Sequence, residues 1–190
     1  RFGCRVVVAT EDARILPKED RDTSQRVGQA LRSEGVEIVS RCKFASVEKK
    51  GNMCICNLSE PDGRIIEAEA ILIGMRRPNT AHMGLGAIGI VPEPGGAIRV
   101  DERLQTEING IYAIGDATGG HMLSHAASAM GIVAAENAMG KSVTFNAERI
   151  PRGIWTIPEV GSVGLSEEEA DARGYDIEIG DFPYAINGLA

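Results

Sequence analysis

The apolar positions of this chain change period several times, and each change marks an element. Arg5-Val6-Val7-Val8-Ala9 is a short continuous apolar run, the pattern of a buried parallel strand. Leu16-Pro17 turns the chain. Asp22 or Thr23 can then cap a helix running to about Ser33, with Val27, Ala30 and Leu31 at i, i+3, i+4 spacing. Gly35 ends that helix, and Val36–Val39 reads as another strand. Strands near 43–48, 53–58 and 64–69 are separated by the turn signals Lys50-Gly51-Asn52 and Pro61-Asp62-Gly63, which predicts an antiparallel meander. The meander leads into a buried strand, Ala70-Ile71-Leu72-Ile73-Gly74.

Residues 75–105 are rich in Gly and Pro and read as loop, with a short strand at Ile98–Val100. A strand ending in Gly-Asp follows, Gly110-Ile111-Tyr112-Ala113-Ile114-Gly115-Asp116. A small-residue helix then begins near Met122 and runs to Met139, before Gly140. Ile154–Glu159 and Val160–Gly164 read as sheet. Ser166-Glu167-Glu168-Glu169 is a capping box, with Ser166 as N-cap and Glu169 at the third helical position. Residues 175–182 read as one more strand. There are no internal repeats or low-complexity tracts.

The 190 residues carry a net charge of −7, which argues against nucleic acid as a partner. No apolar run approaches the ~20 residues of a membrane helix, and the chain is expected to be cytoplasmic. With 43% hydrophobic and only 4% aromatic residues, the core is expected to be aliphatic. Arg1-Phe2-Gly3-Cys4 is neither an initiator nor a signal peptide, and the chain is expected to be the middle of a longer one. Cys4, Cys42, Cys54 and Cys56 have no metal or redox spacing and read as ordinary thiols, Cys54 and Cys56 on one strand face.

The Gly-Asp strand end carries the most chemistry. It places a carboxylate at the carboxyl end of a strand, beside a helix start, where open α/β sheets bind nucleotides. Gly115 lets a ligand approach the backbone, Asp116 can accept hydrogen bonds from sugar-type hydroxyls, and the helix start offers free N–H groups. The bland reading of Asp116 is a cap on the next helix.

Four blocks, in order, resemble the pyridine nucleotide–disulfide oxidoreductases, flavoproteins with two dinucleotide-binding domains. They are Arg14-Ile15-Leu16-Pro17; Gly74-Met75-Arg76-Arg77-Pro78-Asn79-Thr80, where Met75 is an extra residue; Thr106 through Asp116; and Ile157-Pro158-Glu159-Val160-Gly161-Ser162-Val163-Gly164-Leu165-Ser166. Within that family, Gly119-Gly120-His121-Met122-Leu123-Ser124-His125-Ala126 is similar to a stretch of the dihydrolipoamide dehydrogenases. Mercuric reductases and soluble transhydrogenases are close relatives.

The resemblance implies an α/β fold of Rossmann-like half-domains with an antiparallel β-meander, then the start of an α+β interface domain. It places the second part of an NAD-binding domain at 1–76, the second part of an FAD-binding domain at 77–147 and the start of a dimerisation domain at 148–190. Asp116, with Gly115, would bind a ribityl hydroxyl of FAD. Met122, Leu123, Ser124 and His125 would lie against the flavin, with backbone N–H groups at its pyrimidine edge; His125 is a contact and not an acid–base group. Thr10 stands where the family has an acid for the adenosine ribose, and Glu11 beside it is the expected substitute, which favours NAD and leaves NADP open. Phe44 and Gly74 are further candidate NAD contacts. Arg76-Arg77 reads as a phosphate clamp or as ion pairs, and Trp155 as packing for the interface sheet.

The family's redox C-x-x-x-x-C pair, its His-Glu pair and its first glycine-rich loops have no counterpart in these residues. The implied parent is a homodimer moving electrons from dihydrolipoyl groups, presented by lipoyl domains of 2-oxo acid dehydrogenase complexes, through FAD to NAD. These residues alone are expected to be inactive. The rival reading is a non-catalytic module kept for dimerisation or nucleotide binding.

Overall fold

The structure is a computed structural model that describes residues 3–60 and 63–188. The Pro61-Asp62 half of the second predicted turn, Arg1-Phe2 and Leu189-Ala190 lie outside the described residues. The chain is mixed α/β and divides into two compact units, residues 1–42 with 165–190 and residues 43–164.

In the first unit β1 (Val7–Ala9) pairs in parallel with β2 (Glu37–Val39), in the register Val8↔Ile38. The helix α1 (Arg21–Ser33) connects them and buries Ser24, Val27 and Gly28, an i, i+3, i+4 stripe against the sheet side of the unit. The pairing continues past β1. Thr10 N donates to Val39 O at 2.9 Å, and Cys42 N and Sγ both donate to Thr10 O, at 3.0 and 3.1 Å. Cys42 is thereby buried as an ordinary thiol.

The helix α3 (Glu167–Ala172) carries the predicted capping box: Ser166 Oγ accepts from Glu169 N, and Glu169 Oε2 accepts from Ser166 N at 2.9 Å. A second carboxylate serves the same helix end. Asp20 is the N-cap of α1, ahead of the expected Asp22 or Thr23, yet it makes no side-chain bond to its own helix. Its Oδ1 accepts from Glu167 N at 2.7 Å instead. The two helix starts therefore lie within hydrogen-bond reach of each other. Both are positive dipole ends, so their approach requires acidic side chains between them. Glu168 supplies another, accepting from Arg14 Nη2 at 2.6 Å and from Arg21 Nε. Residues 175–182 form no strand and are exposed; the alternating pattern is present, but no strand pairs with it among the described residues.

The second unit opens with the predicted meander, β3 (Lys43–Lys50), β4 (Met53–Glu60) and β5 (Ile65–Ala68), in the order β3-β4-β5. Cys56 and Leu58 are buried on one face of β4, with Cys54 half-buried in the same row. The predicted strand Ala70–Gly74 does not form: Leu72 is 94% exposed and Ile73 78%. Its composition suits a strand covered on both faces, but no neighbour supplies a ladder among the described residues. Ile98–Val100 is likewise no strand. Ile98 still enters the core, its N–H donating to Ala117 O at 2.8 Å.

The helix α2 (Ser124–Ala138) buries Ala126, Met130, Ala134 and Asn137 along one stripe. Met130 and Ala134 pack with Leu104, flanked by Val100, Tyr112, Val133 and Phe145. Asn137 is a buried polar hub. Its Nδ2 donates to Arg103 O at 2.9 Å and Val143 O at 2.8 Å, and its Oδ1 accepts from Val143 N at 2.8 Å. The strands β6 (Arg152–Ile154) and β7 (Val160–Ser162) then pair antiparallel, with Gly153↔Gly161. Trp155, expected to pack on this sheet, is 86% exposed. The helices α1, α2 and α3 end alike, in Schellman motifs with Gly35, Gly140 and Gly174 just past the cap. The bonds are Val36 N→Leu31 O, Lys141 N→Glu136 O and Tyr175 N→Ala170 O. Among the described residues no helix is long and apolar enough to cross a membrane.

Asn137→Leu strips the three bonds of that side chain and strands two carbonyls and an amide in the core. It should cost about 2–4 kcal/mol in urea unfolding, and a loss under 1 kcal/mol would show the hub to be dispensable. The α3 contact should respond to acid. Hydrogen bonds from Arg14 and then Arg21 hold the Glu168 carboxyl below its ordinary value of 4.5. Its contribution is therefore complete above that value and is lost as pH falls through the lowered one. Glu168→Gln should remove this acid component from a plot of melting temperature against pH, and an unchanged curve would exclude Glu168 as its source.

Candidate functional site

The site is built in the second unit around residues 104–125. Asp101 starts it: its Oδ1 accepts from Arg103 N at 2.9 Å and Gln105 N at 2.8 Å, closing a turn that sets Leu104 into the core. The chain then doubles back on itself. Thr106 N donates to Ile111 O at 2.8 Å, and Ala113 N to Leu104 O at 3.1 Å. The buried Thr106 hydroxyl is 3.0 Å from Ile111 O and accepts from Ile108 N at 3.2 Å. The predicted strand reduces here to a single bridge, Gln105↔Tyr112. It keeps the alternation of an extended segment. Ile111 and Ala113 belong to the cluster of Ile90 and Ile98, whereas Tyr112 packs with Leu104 and Met130.

Gly115–Thr118 follows as one 3₁₀ turn, closed by Thr118 Oγ1 donating to Gly115 O at 2.8 Å. This turn sits directly on α2. A Cβ at Gly115 would lie 3.0 Å from Ala127 Cβ, and Gly115 N donates to Met130 Sδ at 3.4 Å. Asp116 therefore leaves the core at the mouth of α2. It is exposed, and its carboxylate has no hydrogen-bond or ion-pair partner among the described residues. It does not cap α2. The N-cap of α2 is Leu123, which provides no side-chain acceptor, so the first N–H groups of the helix stay open.

The approach to α2 is pinned from several sides. Gly119 (φ +73°) packs so closely that a Cβ there would meet Ala97 Cβ at 2.8 Å and Pro78 Cγ at 3.6 Å. Met122 takes a left-handed φ of +51°, and Arg76 Nη1 donates to its carbonyl at 2.9 Å. Arg76 forms no ion pair among the described residues; it fastens the 76–80 connector to the residue ahead of the helix. His125 Nε2 lies 2.7 Å from Pro151 O, and His121 Nε2 3.1 Å from Ala147 O. A carbonyl only accepts, so Nε2 carries the proton in both contacts. Sequence reasoning missed Arg76 and Met130 in these roles. Only contacts across 46 and 15 residues reveal them, and no local pattern encodes those.

The other candidate residues fall in two places. In the first unit Thr10 Oγ1 accepts from Asp12 N at 3.2 Å and donates to Asp12 Oδ2 at 3.4 Å, both within its own turn. Glu11 beside it is exposed and has no partner among the described residues. In the second unit Phe44 lies on β3 opposite Leu58 and is 43% exposed. Gly74 has open space around its α-carbon.

A family model described as pyridine nucleotide-disulphide oxidoreductase matches residues 1–131, and one for the dimerisation domain of the same proteins matches residues 150–190. A dihydrolipoyl dehydrogenase of Thermus scotoductus is 37% identical, aligning with 100% of this chain and 42% of its own length. A leghemoglobin reductase of Glycine max is 32% identical, over 100% of this chain and 37% of that protein. Among solved structures, the HOCl-induced flavoprotein disulfide reductase RclA from Escherichia coli superposes with a TM-score of 0.81 at 27% identity, over 100% of this chain and 43% of that one. LpdA from Mycobacterium tuberculosis gives 0.78 at 30% identity, over 90% and 37%. The chain spans about two fifths of the length of these relatives.

Gly119→Ala should cost about 2–4 kcal/mol, because it adds left-handed strain to an overlap with Ala97. Ala97→Gly in the same chain should recover the overlap part. Equal losses in the single and double variants, measured by urea unfolding, would disprove the close approach.

Proposed function

This chain belongs to the pyridine nucleotide-disulphide oxidoreductase family, and we propose that it forms the second half of the flavin site and the ribose-reading end of the NAD domain in a dithiol–disulfide oxidoreductase. The observation that carries the reading is the unpartnered Asp116 carboxylate standing beside the uncapped start of α2. These residues fit FAD: a free acceptor for a hydroxyl, bare glycine backbone at Gly120, and open N–H groups for an electron-rich ring edge. Bound FAD supplies two-electron acceptance from a dithiol. Asp116 would hold and orient the ribityl chain. The N–H groups of Ser124 and His125 would stabilise negative charge at the pyrimidine edge, with Met122 and Leu123 as packing against it. His125, its Nε2 proton given to Pro151 O, is a contact and not a proton carrier.

For the nicotinamide cofactor the reading is NAD. Glu11, exposed beside Thr10, would take the ribose diol, and the neighbouring carboxylates of Glu11 and Asp12 would repel the extra phosphate of NADP. The implied reaction moves electrons from a dihydrolipoyl-type dithiol through a cysteine pair supplied by other residues. Cys4, Cys42, Cys54 and Cys56 are not joined in disulfides and lack the C-x-x-x-x-C spacing. The match of residues 150–190 to the dimerisation domain supports a homodimer. In this reading the domains divide as 1–76, 77–147 and 148–190, and the enzyme is cytoplasmic.

In protein carrying these residues, Asp116→Asn should lower flavin affinity about 10–100-fold, measured by fluorescence quenching, as expected for a lost charge-assisted bond. The melting temperature of the apoprotein should stay unchanged, because the carboxylate has no partner in the fold. Native flavin affinity in that variant would refute the assignment. Glu11→Gln should weaken NAD binding in calorimetry, and tighter binding of NADP than of NAD by the unaltered protein would overturn the cofactor choice.

A further inference from the structure

Behind the α3 contact, the first unit holds a cavity of about 200 Å³ between the 13–15 loop, one face of α1 and the end of β2. Its ionisable lining residues are all arginines, Arg14, Arg21 and Arg32, in a chain whose net charge is −7. Arg14 is held rigidly but is far from spent. Its bonds to Pro17 O, Glu19 O and Glu168 all run through Nη2. Its Nε is buried without an acceptor, and Nη1 donates to nothing among the described residues.

Arg32 has no carboxylate partner among the described residues, and its guanidinium lies over Gly28. A Cβ at Gly28 would meet Arg32 Nη1 at 3.3 Å and Ile15 Cδ1 at 3.7 Å. A glycine inside a helix costs stability relative to alanine. Here the space it leaves is taken by a cation and by the cavity. None of Thr10, Glu11 or Asp12 lines this space.

We propose that this cavity binds a phosphate-class oxyanion between Arg14 and Arg32, in competition with the Glu168 carboxylate. Guanidinium forks match tetrahedral oxyanions in paired hydrogen bonds. Glu168 is the internal anion that occupies the outer side of Arg14 and Arg21 when no other is present. An anion drawing Arg14 and Arg21 inward loosens the hold on α3, leaving that helix on its capping box and on Asp20.

Calorimetric titration of the 190-residue chain with sodium phosphate, against sodium chloride at equal ionic strength, tests the site. Saturable one-to-one binding is expected. Arg32→Ala should weaken it about tenfold. Gly28→Ala should weaken it too while leaving the melting temperature equal or higher, which separates a filled cavity from a damaged fold. Glu168→Gln should tighten binding severalfold. Glycerol 3-phosphate in a parallel titration separates a free anion from the phosphate of a larger ligand by which of the two binds more tightly. Absence of saturable binding above the chloride control overturns the proposal, as does an affinity that Arg32→Ala and Gly28→Ala both leave unchanged.

Discussion

The extended segment Ile111–Ile114 is the constraint on which the second unit depends. Adjacent side chains of an extended backbone point to opposite sides. One short stretch can therefore close two apolar clusters at once, Ile111 and Ala113 on one side and Tyr112 on the other. Two backbone bonds, Thr106 N to Ile111 O and Ala113 N to Leu104 O, set its register. A slip of one residue would exchange the contents of the clusters, which apolar burial opposes. The end of the segment is fixed as a result, and so is the place where Asp116 leaves the core.

What makes that place useful is that nothing else uses it. In most helices a Ser, Thr, Asp or Asn satisfies the first N–H groups. In α2 that position is Leu123, and the nearby carboxylate points to solvent. Contacts that position the turn come from elsewhere: Met130 below Gly115, Ala97 and Pro78 against Gly119, Arg76 on the Met122 carbonyl. The polar groups facing outward are left free, while the groups that hold them are buried or paired. That division between holding and presenting is the structural argument for a ligand site.

The first unit uses its charges differently. Asp20, 147 residues from Glu167, caps a helix to which it does not belong, and Glu168 draws together two arginines from the other segment. These contacts join residues matched to the nucleotide-binding part of the family with residues matched to its dimerisation part. Surface ion pairs of this kind are individually weak and sensitive to salt. The α3 attachment is therefore the adjustable part of an otherwise hydrogen-bonded unit.

Local rules were enough for the features that close within one or two turns of chain. The β1–α1–β2 pattern, the meander, the Ser166–Glu169 box and the glycine stops after α1 and α2 depend on neighbours a few residues away, and all were readable. The motif blocks were enough for the family. The runs 70–74, 98–100 and 175–182 were misread as strands, because a strand requires a partner and the apolar pattern does not say whether one is there. The destination of a polar side chain was equally hidden. Asp20, Arg76 and Asn137 carry no local signal of the carbonyl or amide that each one bonds, because those partners come from long-range geometry. The sequence by itself determined the locally closed elements, the glycine stops of α1 and α2, and the family. Only the tertiary structure decided which donors and acceptors are used up and which are left for a ligand, because that depends on groups that the chain brings together across tens of residues.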